Sequence, residues 1–216
     1  MINKGYELIK KKSNKIYDRT AQKYKISSKA VLWNNPQTQY YRFYELTKDL
    51  ELNSSTTTVL DVGCGNGELY KFLNFIGFRG KYTGYDINDK LLKQAKKRFK
   101  NTEFLNVDIM SSKVNKKYDY VLMSGVLNIN VGQDMKFVTS FIKSMYDLCN
   151  NAAIFNAIST NVNFKEKKIY YIDPSKILNY CIENITKRVT IEHHNIPYNY
   201  TIYLYRAEDW ASVNDG

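Results

Sequence analysis

The stretch Val59-Leu60-Asp61-Val62-Gly63-Cys64-Gly65-Asn66-Gly67-Glu68-Leu69 decides how this chain folds. Its first four residues, apolar but for Asp61 and closed by a glycine-rich turn, have the length and composition of a buried strand. The turn holds three of the chain's ten glycines within five residues. Glycine is needed where φ is positive or where a ligand must approach the backbone without a Cβ in the way. Residues 68–76 then carry helical spacing, and a helix N-terminus presents unpaired amides to the same spot. Strand, glycine turn and helix N-terminus together make a ligand-binding unit. The dinucleotide fingerprint sets a third glycine where this chain has Glu68. A carboxylate beside a pyrophosphate is repelled, so a dinucleotide is disfavoured.

Outward from this unit, short apolar runs alternate with helical stretches. Residues 82–86, 103–108, 118–124 and 152–158 read as strands, and residues 89–99 and 135–149 as helices. Strand, helix and strand in that order imply right-handed crossovers and a parallel sheet. The tail differs. Residues 174–185 look helical, and residues 189–196 and 200–205 are two strands joined by a short turn, Pro197-Tyr198-Asn199. A hairpin pairs antiparallel. The expected fold is α/β: a seven-stranded, mostly parallel sheet with helices on both faces and an antiparallel last strand.

Composition narrows the class. With 216 residues, 44% hydrophobic and 25% charged, the chain has enough apolar material for one sizeable core, which excludes low-complexity and collagen-like architectures. Cys64, Cys149 and Cys181 are odd in number and contain no C-x-x-C pair, so neither a disulfide scaffold nor a metal site is expected, and a reducing, cytoplasmic compartment is the simple expectation. Lys10, Lys11 and Lys12 interrupt the N-terminal apolar positions, and no run of about 18 apolar residues occurs, so neither a signal peptide nor a membrane span is expected. The formal net charge is +11, which raises the question of a polyanionic partner. Its distribution answers in part. Residues 1–30 hold nine basic side chains against Glu7 and Asp18, a local +7, which leaves +4 on the remaining 186 residues. In that segment Tyr6, Ile9, Ile16, Tyr17, Ala21 and Tyr24 recur at helical spacing among the lysines, which predicts an amphipathic helix. The expected partition is a helical arm over residues 1–40 and a domain over residues 41–210, with an insertion at residues 161–172.

The glycine turn with its flanking strand and helix resembles the first motif of the class I S-adenosylmethionine-dependent methyltransferases, and the likeness extends over residues 55–160. It is closest to the small, stand-alone bacterial type. The resemblance implies a Rossmann-like fold and S-adenosylmethionine as cofactor. It also implies roles residue by residue. Gly63, Cys64 and Gly65 form the cofactor turn, and Asp61 orients it or meets the methionine amino group. Asp86, 25 residues after Asp61 at the end of the second strand, accepts both ribose hydroxyls. Asp108, ending the third strand, accepts the adenine amine, with Ile87 and Ile109 against the ring. Either aspartate is also placed to cap a following helix. At Ser124, where the fourth strand ends, a backbone carbonyl can hold the methionine ammonium while the loop that follows borders the methyl group, with Asn128 on the acceptor side. Ahead of the first motif, Gln39 and Arg42 match a Gln-x-x-Arg-Phe stretch, one helical turn apart, and can face the methionine carboxylate.

The acceptor is less legible. The Asp/Asn-Pro-Pro-aromatic tetrad of amino-group methylases and the Pro-Cys nucleophile of cytosine methylases are both missing from the fourth loop. The only histidines, His193 and His194, lie in an expected strand, where neighbours point to opposite faces, so one at most can serve as a general base. Tyr24, Trp33 and Tyr198 are candidate acceptor-pocket residues. A small, polar or anionic metabolite methylated on O or N is the expected acceptor. Two alternatives stay open: an RNA or other nucleic-acid methyltransferase that uses the basic arm, and a cofactor-binding subunit without its own activity. In-line displacement at sulfur-bound carbon depends on alignment and exclusion of water, which the arm and the insertion can provide as lids.

Overall fold

The computed structural model describes residues 4–25, 27–32, 35–51 and 53–206. Helix α1 (Lys4–Tyr24), a short 3-10 turn (Ser28–Val31) and α2 (Pro36–Thr47) precede β1 (Thr58–Val62), α3 (Glu68–Phe75), β2 (Lys81–Asp86), α4 (Asp89–Arg98), β3 (Glu103–Asn106) and β4 (Tyr118–Ser124). Helix α5 (Met135–Asp147), β5 (Cys149–Ile158), α6 (Pro174–Asn184), β6 (Val189–Glu192) and β7 (Asn199–Tyr205) complete the order. Among the described residues no helix is long and apolar enough to cross a membrane.

Local chemistry starts the helices. Asn35 caps α2 by accepting from the amides of Gln37 and Thr38, with Pro36 in the first turn, where its missing N–H costs nothing. Asn88 accepts from the Leu91 amide, Asp134 from that of Phe137, and Asp173 from those of Ser175 and Lys176. Helix α3 starts instead from Gly67, left-handed at φ +84° and without a side-chain cap.

The seven strands order as β3-β2-β1-β4-β5-β7-β6. The first five are parallel, β7 runs antiparallel to β5, and β6 antiparallel to β7. This is the Rossmann-like sheet with its reversed last strand. Alternation along the central strands builds two cores. Leu60, Val62, Val121, Met123, Ala153 and Phe155 pack with α5 and α6 on one face, and Val59, Leu122, Ile154 and Tyr203 with α2, α3 and α4 on the other.

Three boundaries differ from the sequence expectation. Strand β6 stops at Glu192 rather than running to residue 196, because Asn195 is drawn to α2, where its Nδ2 donates to Glu45 Oε1 at 2.8 Å. Strand β3 stops at Asn106, which puts Asp108 in the following turn. Cys149 opens β5 instead of closing α5. The insertion after β5 folds back on the loop after β4: the amides of Tyr170 and Asn130 donate to Asn128 O and Lys168 O, each at 2.9 Å.

Leu122 sits fully buried in β4, in register with Asp61 of β1 on one side and Ile154 of β5 on the other. Leu122→Ala is expected to lower unfolding free energy by about 2–5 kcal/mol in urea titrations. A loss below roughly 1 kcal/mol would contradict the close packing of that face.

Candidate functional site

The strand order reverses between β1 and β4, and open α/β sheets bind ligands outside the strand C-termini at such a point. A cavity of about 600 Å³ lies there, within the range of small-molecule sites. Its floor is the glycine turn. Gly63 and Gly65 adopt φ +76° and +55°, and the amides of Gly63 and Cys64 both donate to Tyr85 O at 2.7 and 3.0 Å. A Cβ on Gly63 would lie 2.1 Å from Val126 Cγ2, and one on Gly65 2.8 Å from Val31 Cγ1. Glycine is thus demanded here by neighbouring valines as well as by backbone conformation.

Asp86 ties this turn to the next strand. Its Oδ2 accepts from the Gly65 amide and its Oδ1 from the Asn88 amide, each at 2.8 Å. Burial raises its pKa, against the lowering effect of these amides. The cap of α4 is Asn88, so Asp86 is spared that duty. Asp61 is also buried and accepts from Tyr82 Oη at 2.6 Å. Burial pushes its carboxyl up to about 7, the Tyr82 hydrogen bond works against this, and the Asp86 charge adds to it.

Asp108 lines the far end of the cavity with Ile87 and Ile109. No α-helix follows it, and its Oδ1 accepts from the Met110 amide at 3.0 Å to close a turn. Helix α1 supplies two further donors: Tyr6 Oη to Oδ1, and Lys10 Nζ to Oδ2 at 2.9 Å. Burial alone would raise this carboxyl, but these donors hold it below the usual range. Tyr6 also stacks on Phe137, with ring centroids 6.0 Å apart.

On α2, Gln39 and Arg42 are both buried and both line the cavity. Gln39 Oε1 is buried without a hydrogen-bond partner among the described residues, and burial lowers the Arg42 pKa to about 9. The helix is fixed one turn further on. Lys48 pairs with Glu45 at 3.1 Å and with Glu192 on β6, and Tyr203 Oη donates to Glu45 O at 2.5 Å. Ser124 and Asn128 line the cavity where β4 ends; Ser124 exchanges hydrogen bonds with buried Asn156, and Asn128 Oδ1 is buried without a partner among the described residues.

All the sequence-predicted cofactor residues, Gln39, Arg42, Asp61, Gly63, Cys64, Gly65, Asp86, Ile87, Asp108, Ile109 and Ser124, therefore line one cavity. The acceptor candidates fare differently. His193 and His194 stand exposed beyond the end of β6, so the strand alternation on which the general-base expectation rests does not reach them, and neither lines the cavity. Tyr24 ends α1 exposed, and Tyr198 is exposed at φ +63°, its Oη accepting from Asn163 Nδ2 at 3.0 Å; neither lines the cavity. Trp33 lies outside the described residues. Missing from the sequence reading were Tyr6, Lys10, Ser13 and Tyr17 as cavity residues. The amphipathic stripe of α1 marked that face as buried, without saying what it covers.

Comparison with known proteins gives this geometry a family. A family model described as a methyltransferase domain matches residues 53–201. The chain belongs to that family. It is an S-adenosylmethionine-dependent methyltransferase of the class I fold. A Mycobacterium tuberculosis protein named as a methyltransferase, Rv1506c, is 26% identical over 159 residues, which covers 69% of this chain and 93% of that one. The malonyl-[acyl-carrier protein] O-methyltransferase of Acetivibrio thermocellus is 40% identical over 76 residues, 34% of this chain and 27% of that protein. Among solved structures, one described as a DhpI-SAM-HEP complex superposes with TM-score 0.67 at 12% identity, covering 96% of this chain and all of that one.

Burial of Asp61 has a consequence for stability. A native carboxyl raised from 3.8 to about 7 binds its proton more tightly than the unfolded chain does, so it contributes least favourably above pH 7, where it is charged in both states. Stability attributable to this group falls as pH rises between those values. Asp61→Asn, which keeps an acceptor for Tyr82, is expected to exceed the wild type in unfolding free energy at pH 8 by on the order of 1–3 kcal/mol. That advantage should vanish as the pH is lowered towards 4. An Asn variant less stable at pH 8 would show that Asp61 is held as an anion by partners that offset its burial.

Proposed function

We propose that this methyltransferase acts on O or N of a small, polar or anionic metabolite, with the cofactor laid across the loops after β1, β2 and β3. The observation that carries this is the convergence of the glycine turn, Asp86 and Asp108 with Gln39 and Arg42 on a single cavity. The residues fit such a cofactor. Asp86 keeps lone pairs for vicinal hydroxyls beside the two amides it already accepts from. Asp108 accepts an exocyclic amine between Ile87 and Ile109. The buried, unsatisfied Gln39 Oε1 calls for a donor such as an ammonium, and the Arg42 guanidinium suits a carboxylate. Asp61, near neutrality in its titration, adds acceptor capacity beside the turn. When bound, S-adenosylmethionine supplies an electrophilic methyl group on a sulfonium.

The chain's own part is positioning and exclusion of water. Helix α1 crosses the cavity and is fastened at both ends: Tyr6 and Lys10 hold Asp108, while Asp18 accepts from Asn88 Nδ2 at 3.0 Å and pairs with Lys90 at 3.3 Å. The linker behind it is fastened too, by Asn66 Nδ2 donating to Ser27 O at 3.1 Å. We assign this arm, residues 1–40, and the insertion at residues 161–172 as lids over domain 41–210. With the arm docked, the loops after β1, β2 and β3 each carry a contact from it, so ligand exchange requires it to lift.

Calorimetry tests the placement. Asp86→Ala is expected to weaken S-adenosylmethionine binding by about tenfold or more, the loss of hydrogen bonds to a charged group; undiminished affinity would refute it. For the lid, trypsin cleavage at Lys11, Lys12 and Lys15 should slow several-fold when S-adenosylhomocysteine is present. Equal rates with and without ligand would remove the arm from the site.

A further inference from the structure

We infer that the acceptor is an ionised carboxylic acid with an apolar body, methylated on a carboxylate oxygen to give a methyl ester. This rests on the cofactor placement proposed above. With the loops after β1, β2 and β3 occupied, the space left for an acceptor is bounded by the loop after β4, the end of β5, the insertion and the inner face of α1. Four isoleucines, Ile9, Ile129, Ile158 and Ile169, stand among its walls, with Asn128 and Gln133 as polar lining on the loop after β4. An apolar body buries surface against them at about 25 cal/mol per Å².

Basic side chains stand beside that space on two elements. Lys168 and Glu166 line it and pair with each other at 3.0 Å, and Asp134, at the end of the loop after β4, caps α5. Lys12 reaches the loop after β4, since a Cβ on Gly132 would stand 3.5 Å from its Nζ. The same loop is bonded to the insertion through Asn130 Nδ2, which donates to Lys167 O at 3.1 Å. Lys12 of α1 and Lys168 of the insertion, both exposed, thus stand beside the loop after β4. The remaining cavity acids belong to the other half and are already engaged: Asp61 by Tyr82, Asp86 by two amides, Asp108 by Tyr6 and Lys10, and Glu68 by Arg98 at 2.7 Å. A sulfonium on the cofactor adds another positive charge. An ammonium acceptor meets repulsion here, while a monoanion is drawn in. A phosphate brings more charge and more oxygens than isoleucine walls can satisfy.

The chemistry agrees with the charge. A carboxylate oxygen attacks with a lone pair it already has. The O–CH3 bond forms, the C–S bond breaks, and its electron pair returns to sulfur, which becomes a neutral thioether. No proton is released. An amine or alcohol acceptor must lose one proton per turnover, and here the two histidines stand outside the cavity while Glu166 is paired with Lys168.

The test uses the full chain with methyl-labelled S-adenosylmethionine and a small-molecule extract of the organism that encodes it. Label recovered as volatile methanol after mild alkali, with no proton released per turnover in weakly buffered indicator solution, is the expected result. Alkali-stable label, or one proton per methyl transferred, overturns the inference. A binding arm needs no turnover: protein saturated with S-adenosylhomocysteine should bind hexanoate in preference to hexylamine or hexanol, and the reverse preference overturns the inference as well. Lys168→Gln should weaken hexanoate binding roughly two- to fivefold, the range of a partly exposed charge pair, and leave S-adenosylhomocysteine affinity unchanged. Loss of S-adenosylhomocysteine binding by the wild-type chain would instead strike the cofactor placement.

Discussion

Two backbone amides converge on the Asp86 carboxylate, one from Gly65 and one from Asn88, each at 2.8 Å. This bond pair joins the turn after β1 to the start of α4, and the rest of the site is arranged around it. It holds Gly65 in a left-handed conformation with its face open to the cavity. Beside it, the Tyr85 carbonyl accepts from Gly63 and Cys64, so the turn is tied to β2 through both a side chain and the main chain. A carboxylate buried at this point is costly unless amides compensate it. The amides keep it a usable acceptor at the ligand-facing edge of the sheet.

Around this floor the chain places two walls. Helix α2 is bound to the β6–β7 hairpin by Glu45, Lys48, Glu192 and Asn195, and that anchorage orients Gln39 and Arg42 one turn earlier. Helix α1 and the linker behind it are held by partly buried contacts to Asp108, Asn88 and Asn66.

The cofactor half of the site was legible because its residues obey local rules. Asp61, Asp86 and Asp108 stand at or just beyond strand ends, and the glycines stand where a strand turns into a helix. Periodicity alone locates those ends. The acceptor half was not legible in the same way. His193 and His194 sat in a segment with strand composition, yet Asn195 pulls the chain off the sheet towards Glu45. Tyr6 and Lys10 lie 102 and 98 positions from Asp108, a separation no local pattern spans. The stripe on α1 said that a face is buried; it carried no information about the partner.

By itself the sequence determined the α/β alternation, the reversed last strand, the glycine turn and the concentration of positive charge in the first thirty residues. Each follows from spacing of two or 3.6 residues or from the stereochemistry of glycine, which are properties of neighbouring positions. Tertiary structure alone decided that the basic arm lies across the cavity, that Arg42 lines it and the histidines do not, and that Lys12 of α1 and Lys168 of the insertion stand beside the loop after β4. Those facts depend on which helix packs over which strand end. Burial of apolar faces drives that packing, and it is blind to the polar side chains it brings together.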